Sequence, residues 1–283
     1  MKTIFVPSDF SKNATTALRY AIRLCRPMNA KLVVFHCAHL SPYILASKAA
    51  TDEQLEFLLK QDRDYKHSLL TMQVKKAYAY TGIKAIPKST LMIVESNPFL
   101  VENIIETSVR MKADLIVTGT HGATGLNRFF FGSNTAALVS RSEIPVLAVP
   151  EKYHFTKVKG IAYSCDLENL ENELECILPF AEALKASVDI VHFDYGVGNS
   201  KNYEQAREIL KKKVYKKIHL VKRAATIEYS LVAQLKEYLA GNGHQWLVMF
   251  SKDRGFWEKL FFGGKTESMC YSLKIPLLSF KKG

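Results

Sequence analysis

The chain has 283 residues, 48% of them hydrophobic, enough for two ordinary domains with buried cores. Its longest apolar runs, such as KLVVFHCAHL, stop short of the ~20 residues a membrane span needs, and MKTIFVPSDF lacks signal-peptide character. The net charge of +12 divides into +7 over 1–150 (18 basic, 11 acidic) and +5 over 151–283 (21 and 16), a spread excess with no basic tail.

Strand-like and helical runs alternate from the start. TIFVPSD reads as a short buried strand, and SKNATTALRYAIRLCRPM as a helix with Ser11 as N-cap and Ala17, Tyr20, Ala21 and Leu24 on its apolar side. KLVVFHCA is a second strand, and a long helix over roughly 51–80 follows a polar linker. STLMIVES is a third strand, Asn97-Pro98 is expected to open the next helix, ADLIVTGT is a fourth strand and IPVLAVP a fifth. Strands apolar on both faces and separated by helices imply a parallel sheet covered on both sides.

The order then restarts. KGIAYSCDLENLENELECILPFAEALKASVDIVHFD repeats the opening pattern, so Asp166 matches Asp9 and His192 matches His36. Further on, FFGGKTESMCYSLKIPLL overlays FFGSNTAALVSRSEIPVL at a constant offset of 131. The chain is an internal duplication, with expected domains 1–152 and 153–283. The recurring histidine reads as a hydrogen-bonded structural residue. The basic stretch KKKVYKKIHLVKR at 211–223 reads as a solvated helix end before a lysine-defended edge strand, with no specific nucleic acid and no membrane as partner. Cysteines 25, 37, 165, 176 and 270 form no CxxC pair and read as reduced thiols of a cytoplasmic protein, and the eight histidines show no metal-ligand spacing.

Between the fourth strand and the following helix lies GTHGATGLNRFFFGS, four glycines in fifteen residues. Ordering glycine is costly, so the cluster serves either tight turns or a backbone cradle for phosphate at a helix start. It is no Walker A loop, since the last glycine precedes Ser133, which opens the next helix. In open α/β sheets ligands sit at the carboxyl ends of strands where the order reverses, which for order 3-2-1-4-5 gathers Asp9, Cys37 and Gly119.

The spacing Gly119, Gly122, Gly132-Ser133 resembles the G-x2-G-x9-G-[ST] pattern of the universal stress protein family, and Asp9 resembles that family's acidic residue after the first strand. The resemblance spans the chain as two tandem copies. It implies an α/β fold of two doubly wound five-stranded parallel sheets, Rossmann-like and adenine nucleotide α-hydrolase-like. One branch of the family binds ATP through this motif and another does not. Carried over, Asp9 meets the ribose or adenine, with Pro7 and Ser8 shaping that wall and the Cys37 backbone reaching the adenine. Thr118 and Gly119 lie by the ribose, and Gly122, Gly132, Ser133, Asn134 and Thr135 surround the phosphates, with Mg2+ as a possible companion. His121 and Arg128 meet phosphate charge or solvent, and Phe129 to Phe131 serve packing or subunit contact.

The second copy departs from the pattern. Gly119 becomes Phe250, Gly122 becomes Asp253 and Ser133 becomes Gly264, leaving Gly263. A carboxylate where phosphate belongs disfavours binding. The expectation is a tandem protein whose first domain binds ATP and acts in the stress response through ligand-dependent conformation or partner docking. A slow ATP hydrolase and a ligand-free dimeric scaffold are the alternatives, and no activated nucleophile or paired carboxylates mark fast chemistry. The last strands, 145–150 and 276–280, are expected to pair the halves as an intramolecular pseudo-dimer, with a homodimer as a further possibility.

Overall fold

The structure, a computed structural model, describes residues 2–38, 51–120, 133–196, 200–251 and 274–281. These fall into two compact units, one ending at Lys152 and one beginning at Tyr153.

The first unit holds β1 (Lys2–Pro7), α1 (Lys12–Met28), β2 (Ala30–Ala38), α2 (Asp52–Tyr80), β3 (Thr90–Ser96), α3 (Leu100–Arg110), β4 (Leu115–Gly119), α4 (Ser133–Arg141) and β5 (Val146–Val149). Its strands are parallel, in the order β3-β2-β1-β4-β5. Ile4, Phe5 and Val6 are fully buried, as are Leu115, Ile116 and Val117 beside them, so these two strands read as unbroken apolar runs. The Asp114 carboxylate accepts the Thr3 amide at 2.7 Å and ties the start of β4 to β1. The order reverses between β1 and β4, and that gap is where the site forms.

Local sequence sets the helix starts. Ser11 has extended backbone and its hydroxyl accepts the Ala14 N–H at 3.1 Å, capping α1 as expected. Thr51 caps α2 in the same way through Gln54, and Asp52 and Glu53 in the first turn suit the helix dipole. The helix expected from Asn97-Pro98 begins only at Leu100. Asn97 Oδ1 accepts the Phe99 N–H at 2.8 Å, an Asx turn that competes with the helical bond and delays the start.

The second unit repeats the plan with β6 (Gly160–Ser164), α5 (Leu170–Leu184), β7 (Ser187–Asp194), α6 (Ser200–Lys212), β8 (Ile218–Ala224), α7 (Leu231–Asn242), β9 (Trp246–Ser251) and β10 (Leu277–Lys281). Its parallel order, β10-β9-β6-β7-β8, matches the first unit's read from the other side. The basic stretch spans the end of α6 and the outer strand β8. There Lys211 pairs with Glu208 and Lys213 with Glu171, and the Tyr215 hydroxyl lies 2.6 Å from the Ala186 carbonyl, so this aromatic ring is an anchor of the loop.

Candidate functional site

The turn after β1 is built from short polar side chains. Asp9 Oδ1 accepts the Ser11 N–H at 3.0 Å, while the Ser8 hydroxyl accepts from Phe10 N and donates to Gln73 Oε1 at 2.7 Å. Gln73 in turn donates to Thr15 at 2.9 Å, so one amide on α2 binds both the turn and α1. Phe10 pays for the turn with φ 64°, a left-handed conformation that disfavours non-glycine residues. Its ring packs 4.3 Å from His36, whose Nδ1 is 2.8 Å from the Ser8 carbonyl. A carbonyl only accepts, so the proton sits on Nδ1 and His36 braces the turn.

Around this turn lies a cavity of about 490 Å3 at the carboxyl ends of β1, β2 and β4. Of the expected residues, Pro7, Ser8, Asp9, Cys37, Thr118, Gly119, Ser133, Asn134 and Thr135 all line it. Gly122 and Gly132 lie outside the described residues, as do His121, Arg128, Phe129 to Phe131, Asp253, Gly263 and Gly264. The volume is within the ~300–1,000 Å3 common for small-molecule sites. Phe35, Leu100, Ile104 and Leu138 supply apolar wall, and the first turn of α4 presents its amides beside the exposed Ser133 and Asn134. The unpaired N–H groups of a helix start suit an anion.

Three lining residues have structural tasks as well. The Cys37 thiol accepts from Asn103 Nδ2 at 3.4 Å and contacts the Asn97 carbonyl, which fixes the end of β2 against α3. Thr135 is buried and its hydroxyl donates to the Gly119 carbonyl at 2.7 Å, holding α4 on β4. A β-carbon on Gly119 would lie 2.8 Å from the Asn13 backbone carbonyl, so glycine is needed there for the approach of α1. From the sequence that glycine serves a tight turn or the ligand; the approach of α1 is a third reason.

Tyr65, Lys66 and Leu69, all on α2, also line the cavity and were missed in the sequence. Among the described lining residues, Asp9 and Lys66 carry full charge. Lys66 pairs with Asp62 at 2.6 Å. The i, i+4 spacing with the carboxylate first was a legible signal for the pair, though not for its place.

The second unit repeats the turn and not the surroundings. Asp166 Oδ1 accepts the Glu168 N–H at 3.0 Å, Leu167 has φ 69°, and His192 Nδ1 is 3.1 Å from the Cys165 carbonyl. At the strand end, however, Phe250 stacks on Phe280 at 4.6 Å and meets Tyr163 edge-on. The Tyr163 hydroxyl donates to buried Glu173, and Cys165, Asp166 and Glu173 bring ligand-type atoms within 4.8 Å. Burial pushes the Cys165 thiol up to about 12, which leaves it protonated at neutral pH.

A parallel sheet with a strand-order reversal, built twice and holding a cavity at the first unit's reversal point, defines a duplicated Rossmann-like α/β protein of the adenine nucleotide α-hydrolase-like type. The sequence profile of the universal stress protein family matches residues 1–150, and the chain belongs to that family. A universal stress protein of Methanocaldococcus jannaschii is 30% identical over 148 residues, covering 52% of this chain and 81% of the relative. A stress response protein of Bacillus subtilis is 29% identical over 161 residues, covering 52% and 96%. Among solved structures, a universal stress protein from Archaeoglobus fulgidus superposes with TM-score 0.69 at 16% identity, over 99% of this chain and 98% of that one. A putative universal stress protein from Pseudomonas aeruginosa gives 0.60 at 13% identity, over 99% and 93%. At such identities these two show a common fold. Among the described residues no helix is long and apolar enough to cross a membrane.

Proposed function

We propose that the first unit binds ATP, with or without Mg2+, and that the chain acts in the stress response through ligand-dependent conformation or partner docking. The observation that carries this reading is the cavity at the strand-order reversal, with apolar wall on one side and a helix N-terminus on the other. In this reading Pro7, Ser8, Asp9 and Cys37 face the nucleoside, Thr118 and Gly119 floor the ribose, and Ser133, Asn134 and Thr135 meet the phosphates. The glycine spacing of 119–133 supports it from the sequence. In the second unit Phe250 stands where Gly119 stands in the first, which argues for one site per chain. Calorimetric titration of the full chain with Mg-ATP is expected to give a stoichiometry near one. Two equivalent sites overturn the assignment to the first unit, and no heat at any concentration leaves the ligand-free scaffold.

The reading also includes pairing of the two copies as a pseudo-dimer, argued from the apolar last strands PVLAVP and PLLSF. A chain of residues 1–152 is then expected to self-associate in analytical ultracentrifugation. A strict monomer at high concentration removes the pairing and leaves ATP binding untouched.

A further inference from the structure

We propose that Lys66, on α2, is a phosphate-recognition residue of the first-unit cavity, and that Asp62 holds its ammonium in the wall until a nucleotide phosphate takes it over. The inference rests on the nucleotide reading and adds to it a residue outside the glycine pattern.

Gln73 fixes α2 to the turn that carries Asp9, through its bonds to Ser8 and Thr15. Leu69 and Lys66 lie one and two turns before Gln73 on the same side of the helix. At a rise of ~1.5 Å per residue, Lys66 stands about 10 Å along the axis from that anchor. Lys66 and Leu69 both line the cavity. Apart from Lys66, the full charge among the described lining residues is the carboxylate of Asp9. A wall with that charge alone would repel phosphate; Lys66 offsets it once its ammonium leaves Asp62.

The Lys66–Asp62 pair differs from an ordinary surface ion pair. Its side chains are only 15% and 13% exposed, so both charges are largely out of water. Such a pair persists because each charge compensates the other, and a second anion entering the cavity competes for the ammonium. A lysine suits that exchange: it is a point charge with three rotatable donors on a flexible stem, and its bond to a phosphate oxygen is charge-assisted. The alternative is that the pair only steadies α2. In that case both partners contribute with the same sign and the ligand's charge is irrelevant.

The test is calorimetry of the full chain and of Lys66→Met and Asp62→Asn with two probes, ATP and adenosine, each variant being checked by thermal melting. Lys66→Met is expected to weaken ATP about tenfold and to shrink the ratio of ATP to adenosine affinity. Asp62→Asn is expected to act in the opposite direction, strengthening ATP about two- to threefold, because it frees the ammonium. An unchanged ratio in Lys66→Met overturns the proposal. So does a parallel loss of both ligands in both variants, which is the signature of a helix brace. Failure of the unsubstituted chain to bind ATP is a separate result, and it removes the nucleotide reading itself.

Discussion

In the first unit the chain leaves β1 through a turn in which Asp9 accepts the Ser11 N–H and Phe10 adopts φ 64°. In the second it leaves β6 through a turn in which Asp166 accepts the Glu168 N–H and Leu167 adopts φ 69°. A histidine from the neighbouring strand lies within hydrogen-bonding distance of the same turn carbonyl in both. The motif that looks most like a binding signature is therefore in part a folding device, retained where the glycine pattern is lost. The halves differ around it. Tyr163, Cys165 and Phe250 stand at the repeat positions of Val6, Ser8 and Gly119. Ser8 and Gly119 line a cavity in one unit; in the other, aromatic rings and a buried carboxylate meet at the strand end. An acidic residue after the first strand is thus weak support for a ligand, and what surrounds it discriminates better.

The sharpest way to break this comparison is to give the first unit a side chain where the second has one. Gly119→Val places a β-carbon at 2.8 Å from the Asn13 backbone, a distance that backbone must yield to. Either α1 shifts or β4 does, and overpacking of this kind costs about 1–3 kcal/mol. Equilibrium urea unfolding is expected to show that loss without any ligand present. Wild-type stability in Gly119→Val would mean that α1 does not approach so closely, and the glycine would revert to a purely ligand-facing role. The result also guards the site assignment, because lost ATP binding in this variant does not by itself identify a contact.

Much of the fold was legible. Runs such as LVVF and LIVT have no polar face to give to solvent, and Ser11 before the periodic apolar residues marks a helix start that the structure reproduces. Asn97-Pro98 misled because the Asn97 side chain forms a local turn of its own before the helix. Of the site, the residues on strand ends were legible because the sheet's topology alone gathers them. Those on α2 were not. That helix carries polar residues on most sides, with buried side chains only from Leu70 onward, so its pattern does not say which side faces the cavity. The bond from Gln73 to Ser8 joins residues 65 apart in the chain, and nothing local encodes it. Gly119 was legible as a glycine needed for close approach; which neighbour approached was not.

A finer separation of the halves comes from pH. Cys25 on α1 and Cys165 after β6 each have their thiol pushed up to about 12 by burial, from a reference of 9.0. Burial disfavours the thiolate, so the folded state binds the proton more tightly than the unfolded chain does. The sign follows: this contribution to stability is fully present below the unfolded value and is lost as pH rises from about 9 toward about 12. Tyr238 in the second unit, also pushed up to about 12 by burial and then by Asp189, adds to the loss there. Melting temperature is expected to hold up to about pH 8.5 and then fall, with Cys25→Ala lessening the fall in the first unit and Cys165→Ala removing the thiol's share in the second, where Tyr238 keeps its own. Both tryptophans, 246 and 257, lie in the second half of the sequence, so tryptophan emission follows that half while circular dichroism follows both. If Cys25→Ala flattens the emission-detected transition as much as the dichroism, the halves unfold as one cooperative body. If it changes the dichroism alone, they melt separately. A melting temperature that stays level through pH 10.5 in the unsubstituted chain would show that neither thiol is held neutral by the fold.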